Sequence, residues 1–151
     1  MVDGNFQTPL DVCDYMVSLV PSGVQTILEP TPGEGNLVGQ LKRDYIVVSP
    51  DEFWSVSGYF DAVVMNPPFS PMDVGYKIFY RVMEMTNVII ALMPWLILIN
   101  SSKRALDIHN FGLVSVTHLP RAVFNGSRVQ TCILKMVRGY QGQTEFCFYF
   151  R

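Results

Sequence analysis

The chain alternates short apolar runs with segments whose apolar residues recur at helical spacing. Residues 11–20 place Val12 and Met16 on one helical face. Pro9 precedes the first turn of this segment, where proline is tolerated. Runs rich in β-branched residues between turn signals predict strands. The predicted strands are residues 26–28, 45–48, 60–65, 88–93, 113–119, 131–137 and 145–150, and the predicted helices are residues 11–20, 37–43, 73–85 and 101–109.

The order of these elements indicates an α/β domain, because strands that alternate with helices form a largely parallel sheet. The composition is 49% hydrophobic and only 16% charged, which is typical of a sheet covered by helices on both faces. Gly139 and Gly142 lie between the last two predicted strands, so a turn there predicts an antiparallel C-terminal pair. The 151 residues have the size of one domain, residues 1–151.

The charge of the chain argues against nucleic-acid binding by this chain alone. The net charge is −2 and the pI is about 5.6, and the basic residues are scattered. Proteins that hold nucleic acid unaided usually carry a basic stripe, because phosphate contacts supply most of the non-specific affinity. A nucleic-acid substrate therefore favours a partner that adds affinity, although the basic residues between Arg104 and Arg138 leave a local patch as the alternative.

Membrane and metal roles find little support in the sequence. The longest apolar stretch, residues 88–99, is too short to span a membrane and contains Pro94. The N-terminus shows no signal-peptide pattern, so a cytoplasmic location is expected. The three cysteines lack CxxC spacing and are expected to be buried free thiols. The two histidines have no further ligands at metal-binding spacing, so no metal is expected.

The strongest chemical signal is Asn66-Pro67-Pro68-Phe69, which follows directly on a β-branched strand. Two adjacent prolines form a stiff turn and leave backbone carbonyls free to accept hydrogen bonds. These carbonyls and the Asn66 amide oxygen can surround an exocyclic amino group, a donor that needs several acceptors. Phe69 can stack on the planar ring that carries the amino group. The alternative is a strand end with a proline turn and no chemistry.

A second signal is Leu28-Glu29-Pro30-Thr31-Pro32-Gly33-Glu34-Gly35. Here a strand ends in an acidic residue, and a glycine loop leads into a predicted helix. Glycines let the backbone approach a ligand closely, and an acidic side chain can bind an amine or a ribose hydroxyl. A plain turn is the alternative for this motif alone. Both signals, however, follow predicted parallel strands, and the carboxyl ends of such strands form the ligand-binding edge of open α/β sheets.

With these motifs in this order, the chain resembles the S-adenosylmethionine-dependent amino-group (adenine-specific) DNA methyltransferases. The resemblance implies a Rossmann-like class I methyltransferase fold. Asn66-Pro67-Pro68-Phe69 resembles the family's catalytic tetrapeptide, and Glu29-Pro30-x-x-Gly33-x-Gly35 its cofactor loop. Phe6-Gln7-Thr8-Pro9 resembles the segment that closes over the methionine part of the cofactor. Leu119-Pro120-x-x-Val123-Phe124, followed by Val129-x-Thr131-x-Ile133-Leu134, resembles the family's late motif.

The resemblance implies S-adenosylmethionine as cofactor and adenine in DNA as substrate. Asn66 and the Pro67 carbonyl would accept the amino hydrogens while the nitrogen attacks the sulfonium methyl group. Phe69 and Phe124 would stack on the flipped base. The implied cofactor contacts are Phe6, Thr8, Pro9, Glu29, Pro30, Gly33, Gly35, Asp51 and Phe53, the last two at the cofactor's adenine.

Two departures from the family pattern add further expectations. Family members usually have two strands between the cofactor loop and the catalytic loop, the first ending in an acidic residue for the ribose. Here only residues 45–48 predict a strand, and Ser49 follows it, so a strand–helix unit is expected to be missing and the ribose ligand lost or displaced. Members that act alone also carry a target-recognition region, for which this chain has no segment. The resemblance therefore implies a minimal form with a recognition subunit or a homo-oligomer.

Other functions stay open at this point. The same tetrapeptide serves methyltransferases that act on ribosomal RNA guanine or on protein glutamine, because each substrate presents a planar nitrogen. Ser49 and the missing recognition region favour a non-catalytic, methyltransferase-like subunit, whereas the intact tetrapeptide favours an enzyme. Of the remaining aromatic residues, Trp54 and Trp95 lie near strand ends and are expected to pack in the interior rather than to border the substrate cleft.

Overall fold

The computed structural model describes residues 7–33, 35–124 and 129–149. The strands are β1 (Thr26–Leu28), β2 (Ile46–Val48), β3 (Ala62–Met65), β4 (Val88–Pro94), β5 (Leu113–Leu119), β6 (Thr131–Val137) and β7 (Glu145–Phe148). The helices are α1 (Leu10–Ser18), α2 (Asn36–Leu41), α3 (Met72–Val82), α4 (Leu96–Ile99) and α5 (Ser102–Phe111), and 3-10 turns lie at Phe53–Ser55 and Arg121–Val123. The predicted strands and helices are confirmed with small shifts at their ends. The short helix α4 was not predicted, because four apolar residues are too few to show a helical period.

The strands form one sheet in the order β2-β1-β3-β4-β6-β5-β7. β1 pairs in parallel with β2 and β3, and β3 pairs in parallel with β4. β6 runs antiparallel to both of its neighbours, β4 and β5. This confirms the mixed, mostly parallel sheet. Because β1, β2 and β3 are adjacent and parallel, the loops that follow them meet at one edge of the sheet.

The pairing of the last strand differs from the prediction. The turn at Gly139 was expected to place β7 beside β6 in an antiparallel pair. Instead β7 pairs in parallel with β5, from Ser115↔Glu145 to His118↔Phe148. The reason is that β4 and β5 already occupy both edges of β6, so the returning chain pairs with the outer edge of β5, the strand next to β6.

Helices cover both faces of the sheet, as predicted. On one face, α3 buries Ile78, Phe79 and Val82 against residues of the central strands. On the other face, α1 and α2 contribute the buried residues Val12, Cys13, Met16, Leu37 and Leu41. No helix among the described residues is long and apolar enough to cross a membrane.

Helix α1 is fixed to the far end of the sheet by polar contacts. The Tyr15 and Thr117 hydroxyls are 2.8 Å apart, which links α1 to β5. Tyr149, just after β7, donates to the Asp11 carboxylate at 2.8 Å. These contacts hold the helix that begins next to the candidate site.

The segment between β1 and β3 is short, in agreement with the expected loss of a strand–helix unit. It contains one strand, β2, which forms an edge of the sheet and leaves Ile46 67% exposed. A 3-10 turn at Phe53–Ser55 then leads towards β3. The sheet still has seven strands because β7 adds to the opposite edge.

Candidate functional site

The loops after β1, β2 and β3 enclose a cavity of about 580 Å³. The residues that line it are Gln7, Thr8, Glu29, Pro30, Thr31, Pro32, Gly33, Leu37, Pro50, Asp51, Glu52, Phe53, Trp54, Asn66, Pro67 and Pro68. The structure therefore places most residues predicted for the cofactor and for catalysis around one space. A cavity of this size lies within the range of small-molecule and cofactor sites.

Glu29 is the buried acid of this cavity. It follows β1, is 1% exposed, and its Oε1 accepts a hydrogen bond from the Thr31 amide at 2.7 Å. Burial raises the pKa of Glu29 to about 8, although the hydrogen bonds from Thr31 lower it in part. In this environment the carboxyl group is more stable when it is protonated, or paired with a cationic ligand, than as an isolated anion.

The loop after Glu29 depends on glycine. Gly33 and Gly35 have φ values of 56° and 95°, in the left-handed region that residues with a side chain rarely adopt. Gly33 lines the cavity, whereas Gly35 stands at the start of α2 and its amide donates to the Pro32 carbonyl at 2.9 Å. A residue with a side chain would be strained at either position because of these φ values, although an added Cβ would meet no atom within 4 Å.

The predicted catalytic tetrapeptide, residues 66–69, follows β3 and is linked to two other segments. Asn66 Nδ2 donates to the Thr8 hydroxyl at 2.7 Å, and the Thr31 hydroxyl lies 3.4 Å from the Asn66 carbonyl oxygen. The N-terminal segment, the loop after β1 and the loop after β3 therefore share one hydrogen-bond network, and Asn66 is its common member.

Gly75 of α3 supports the same loop from behind, a role that sequence reasoning missed. A Cβ atom at Gly75 would lie 2.5 Å from the Pro68 carbonyl oxygen, which is closer than non-bonded atoms approach. Only glycine lets the helix and the loop pack at this distance. The signal was an isolated glycine inside a helical pattern, which is often retained for close packing.

Residues after β2 form the third wall of the cavity. Asp51 and Glu52 both line it, so acidic side chains are present although Ser49 follows the strand. Glu52 Oε1 accepts from the Trp54 amide at 3.0 Å and caps the 3-10 turn. Phe53 is 6% exposed and Trp54 56% exposed. The expectation that Trp54 packs in the interior is wrong, because the short connection to β3 brings no helix to cover it.

Trp95 behaves differently and is partly buried, as expected. Its indole Nε1 donates to His118 Nδ1 at 2.9 Å, and its ring packs against the core on the α3 face of the sheet. His118 therefore binds an aromatic side chain. Within the described residues, no group of three or more His, Cys, Asp or Glu side chains is arranged to hold a metal ion.

The two rings expected to stack on a base lie together but are covered. Phe69 is 8% exposed and Phe124 6% exposed, and both belong to the hydrophobic cluster that α1 packs against. Neither ring is among the described residues that line the cavity. Stacking with a base would therefore require this part of the surface to open.

The remaining predicted contacts fall outside the cavity lining. Pro9 caps the N-terminus of α1, next to Thr8, and so positions the segment without lining the cavity. Phe6 lies outside the described residues. The residues that the structure adds to the predicted set are Gln7, Thr31, Pro32, Leu37, Pro50, Glu52 and Trp54.

The comparisons with known proteins bear on the fold. No protein-family model and no curated protein matches the chain. Among solved structures, the chain is similar to the methyltransferase subunit of a type I restriction-modification system from Streptococcus thermophilus, with a TM-score of 0.76, 16% identity, and coverage of 98% of this chain and 48% of that one. It is also similar to a Listeria monocytogenes protein assigned to the class I S-adenosylmethionine-dependent methyltransferases (TM-score 0.70, 16% identity, coverage 98% and 67%). A third similar structure is a dimethyladenosine transferase from Plasmodium falciparum (TM-score 0.65, 15% identity, coverage 89% and 63%).

At these identities the likeness establishes the fold. The chain has the Rossmann-like fold of the class I S-adenosylmethionine-dependent methyltransferases. It spans about half the length of the restriction-modification subunit, 48%. The resemblance to the adenine-specific amino-group methyltransferases remains a prediction from the motifs.

Proposed function

We propose that this chain is an S-adenosylmethionine-dependent methyltransferase that acts on the exocyclic amino group of adenine in DNA. The observation that supports this most is the arrangement of one cavity, in which Asn66, Pro67 and Pro68 face the loop of Glu29 and Gly33. The carboxyl edge of a parallel sheet is where this fold class binds ligands. The amide and carbonyl acceptors suit an amino group, and the buried acid suits a cation.

The residues present fit S-adenosylmethionine. A buried carboxyl group with a raised pKa favours a ligand that brings positive charge, and this cofactor carries an ammonium and a sulfonium group. Glu29 would hold the methionine end, Gly33 would line the loop, and Phe53 would meet the adenine. Asp51 would meet the adenine beside Phe53, and Glu52, which also lines the cavity, is the candidate for the ribose hydroxyls. When bound, the cofactor would supply an electrophilic methyl group.

The chain's own residues would prepare the amino nitrogen for attack. Asn66 Oδ1 and the Pro67 carbonyl oxygen would accept the two amino hydrogens, which draws the nitrogen lone pair out of conjugation with the ring. Direct attack needs no strong base at the nitrogen. As the new N–C bond forms, the methyl–sulfur bond would break and S-adenosylhomocysteine would leave, and the methylated nitrogen would then lose its extra proton to solvent. The main contribution to rate would be proximity and orientation, since both reactants are held in one cavity.

The site and the charge of the chain together support a proposal for the substrate and the partner. Phe69 and Phe124 would stack on the base once their cover opens, and a flipped or single-stranded adenine is the form that can reach the cavity. The acidic pI of about 5.6 argues for a partner that supplies DNA affinity. A recognition subunit or a homo-oligomer would do so, and a similar structure is itself a subunit of a restriction-modification system.

The direct test is transfer of a labelled methyl group from S-adenosylmethionine to a single-stranded oligonucleotide that contains adenine. A single strand removes the cost of flipping the base, which is a few kcal/mol. We expect incorporation that requires adenine and that falls to a small but measurable residual rate in Asn66→Ala while the fold is retained. An adenine-free oligonucleotide, an RNA of the same sequence and a glutamine-containing peptide serve as parallel substrates.

Each alternative has its own result in this assay. Incorporation only into RNA or only into the peptide would contradict DNA as the substrate but would still support methyl transfer to a planar nitrogen. Cofactor binding without incorporation into any substrate would contradict the enzyme and favour a non-catalytic subunit.

A further inference from the structure

Thr8 contacts the catalytic loop through its side chain, although the motif alone assigns it to the cofactor. Its hydroxyl accepts a hydrogen bond from Asn66 Nδ2 at 2.7 Å, and the residue is 3% exposed. We propose that Thr8 is a positioning residue, which holds the Asn66 carboxamide so that its oxygen faces the substrate amino group. This inference rests on the proposed function, since it assigns a role within the same site.

The two ends of a carboxamide have opposite hydrogen-bonding character. The oxygen accepts and the nitrogen donates, so only the orientation with Oδ1 towards the substrate can bind an amino group. If the Asn66 carboxamide were flipped, its NH2 group would face the substrate amino group, and two donors cannot form a hydrogen bond. The productive orientation leaves Nδ2 on the buried side, where it needs an acceptor because an unsatisfied buried donor is costly. The Thr8 hydroxyl is that acceptor.

Thr8 can serve this purpose because its own backbone is fixed. Its carbonyl oxygen accepts from Asn36 Nδ2 at 2.9 Å and from the Cys13 thiol at 3.6 Å. Asn36 opens α2 and Cys13 belongs to α1, so two helices on the same face of the sheet hold the threonine. The hydroxyl therefore meets Asn66 from a rigid support, and the N-terminal segment is coupled to the catalytic loop.

Two variants separate this role from packing. Thr8→Val keeps the shape of the side chain and removes the hydroxyl, whereas Thr8→Ser keeps the hydroxyl and removes a methyl group. We expect Thr8→Val to lower kcat roughly 10- to 100-fold, the factor that corresponds to one buried donor left without a partner. Cofactor Kd, measured by calorimetry, should stay unchanged. Thr8→Ser should restore kcat.

A double variant tests whether Thr8 acts through Asn66. If it does, Thr8→Val combined with Asn66→Ala is no slower than Asn66→Ala alone, because the group to be positioned is gone. If the double variant instead shows the product of the two single-variant losses in kcat, the proposal is overturned. A higher cofactor Kd in Thr8→Val with an unchanged kcat would also overturn the proposal and would assign Thr8 to cofactor binding.

A measurement without substrate keeps this proposal distinct from the proposed function. The side-chain amide protons of Asn66, followed by NMR in the free protein, should exchange slowly in the wild type and in Thr8→Ser, and faster in Thr8→Val. Equal exchange in all three proteins would overturn the positioning role whatever the activity. The Asn66 amide protons could also be protected in a wild-type protein that transfers no methyl group. This result would support the coupling between Thr8 and Asn66 and would refute only the proposed function.

Discussion

Glu29 gives a prediction that can be tested on the free protein. Burial raises its pKa from 4.5 to about 8 in the folded chain, so the native state favours the neutral carboxyl. The resulting stabilisation is fully present below the unfolded value and is lost as the pH rises through the folded value. One unit of pKa corresponds to about 1.4 kcal/mol. Each pH unit between the two values therefore removes up to about 1.4 kcal/mol of the free energy of unfolding.

Glu29→Gln is the matched perturbation, because the amide keeps the shape and an acceptor for the Thr31 amide but does not titrate. We expect the free energy of unfolding of Glu29→Gln, relative to the wild type, to rise by up to about 1.4 kcal/mol per unit from about pH 5 to about pH 8. Urea denaturation at several pH values measures this difference. Parallel stability profiles for the two proteins would refute the assignment of a raised pKa to Glu29.

The same carboxyl group links cofactor binding to a proton. A cationic ligand favours the ionised acid, so binding below about pH 8 should release a proton, and affinity should rise about tenfold from about pH 6 to about pH 7. Calorimetry in buffers of different ionisation enthalpy counts the proton. Methylthioadenosine, which lacks the amino acid part, is the control and should show no such dependence. A flat profile for S-adenosylmethionine in the wild type would remove Glu29 from the cofactor site.

Three further variants test the packing around the site. Gly75→Ala should lower methyl transfer and cost about 1–3 kcal/mol of stability, since its Cβ would meet the Pro68 carbonyl at 2.5 Å; wild-type activity in this variant would show that the loop position is not critical. The control is Gly39→Ala in α2, where an added Cβ would meet no atom within 4 Å. This variant should have a free energy of unfolding higher by roughly 0.5–1 kcal/mol in urea denaturation. Phe79→Ala, at a position that is 0% exposed, should cost about 3–5 kcal/mol, and a loss below about 1 kcal/mol would contradict its place in the core. Trp54→Ala, at 56% exposure, should weaken cofactor binding about 2- to 10-fold with little change in melting temperature, and an unchanged Kd would place the ring outside the cofactor site.

The sequence predicts the strands well, and it predicts that Glu29 and Asn66 lie close together, for local reasons. β-branched runs such as those that become β3 and β6 have few alternatives to a buried strand. Glu29 and Asn66 each follow a predicted parallel strand, and parallel strands bring their carboxyl ends to one edge. The order of the motifs along the chain therefore predicts that these two residues share a cavity.

Features that depend on the whole sheet or on distant contacts could not be predicted. The partner of β7 depends on which strand edges are free after the other strands have paired. The hydrogen bond between Thr8 and Asn66 joins residues 58 positions apart, and no local pattern marks it. Burial of Phe69 likewise depends on how distant segments pack into one hydrophobic cluster, which the periodicity along a single element does not determine.

The most direct test of the central claim is calorimetric titration of S-adenosylmethionine and S-adenosylhomocysteine into the purified chain. We expect micromolar binding of S-adenosylmethionine that weakens in Glu29→Ala and is unchanged in Gly39→Ala. Absence of binding by both ligands at millimolar concentration would contradict a cofactor site in the cavity between the loops, and with it the proposed methyl transfer.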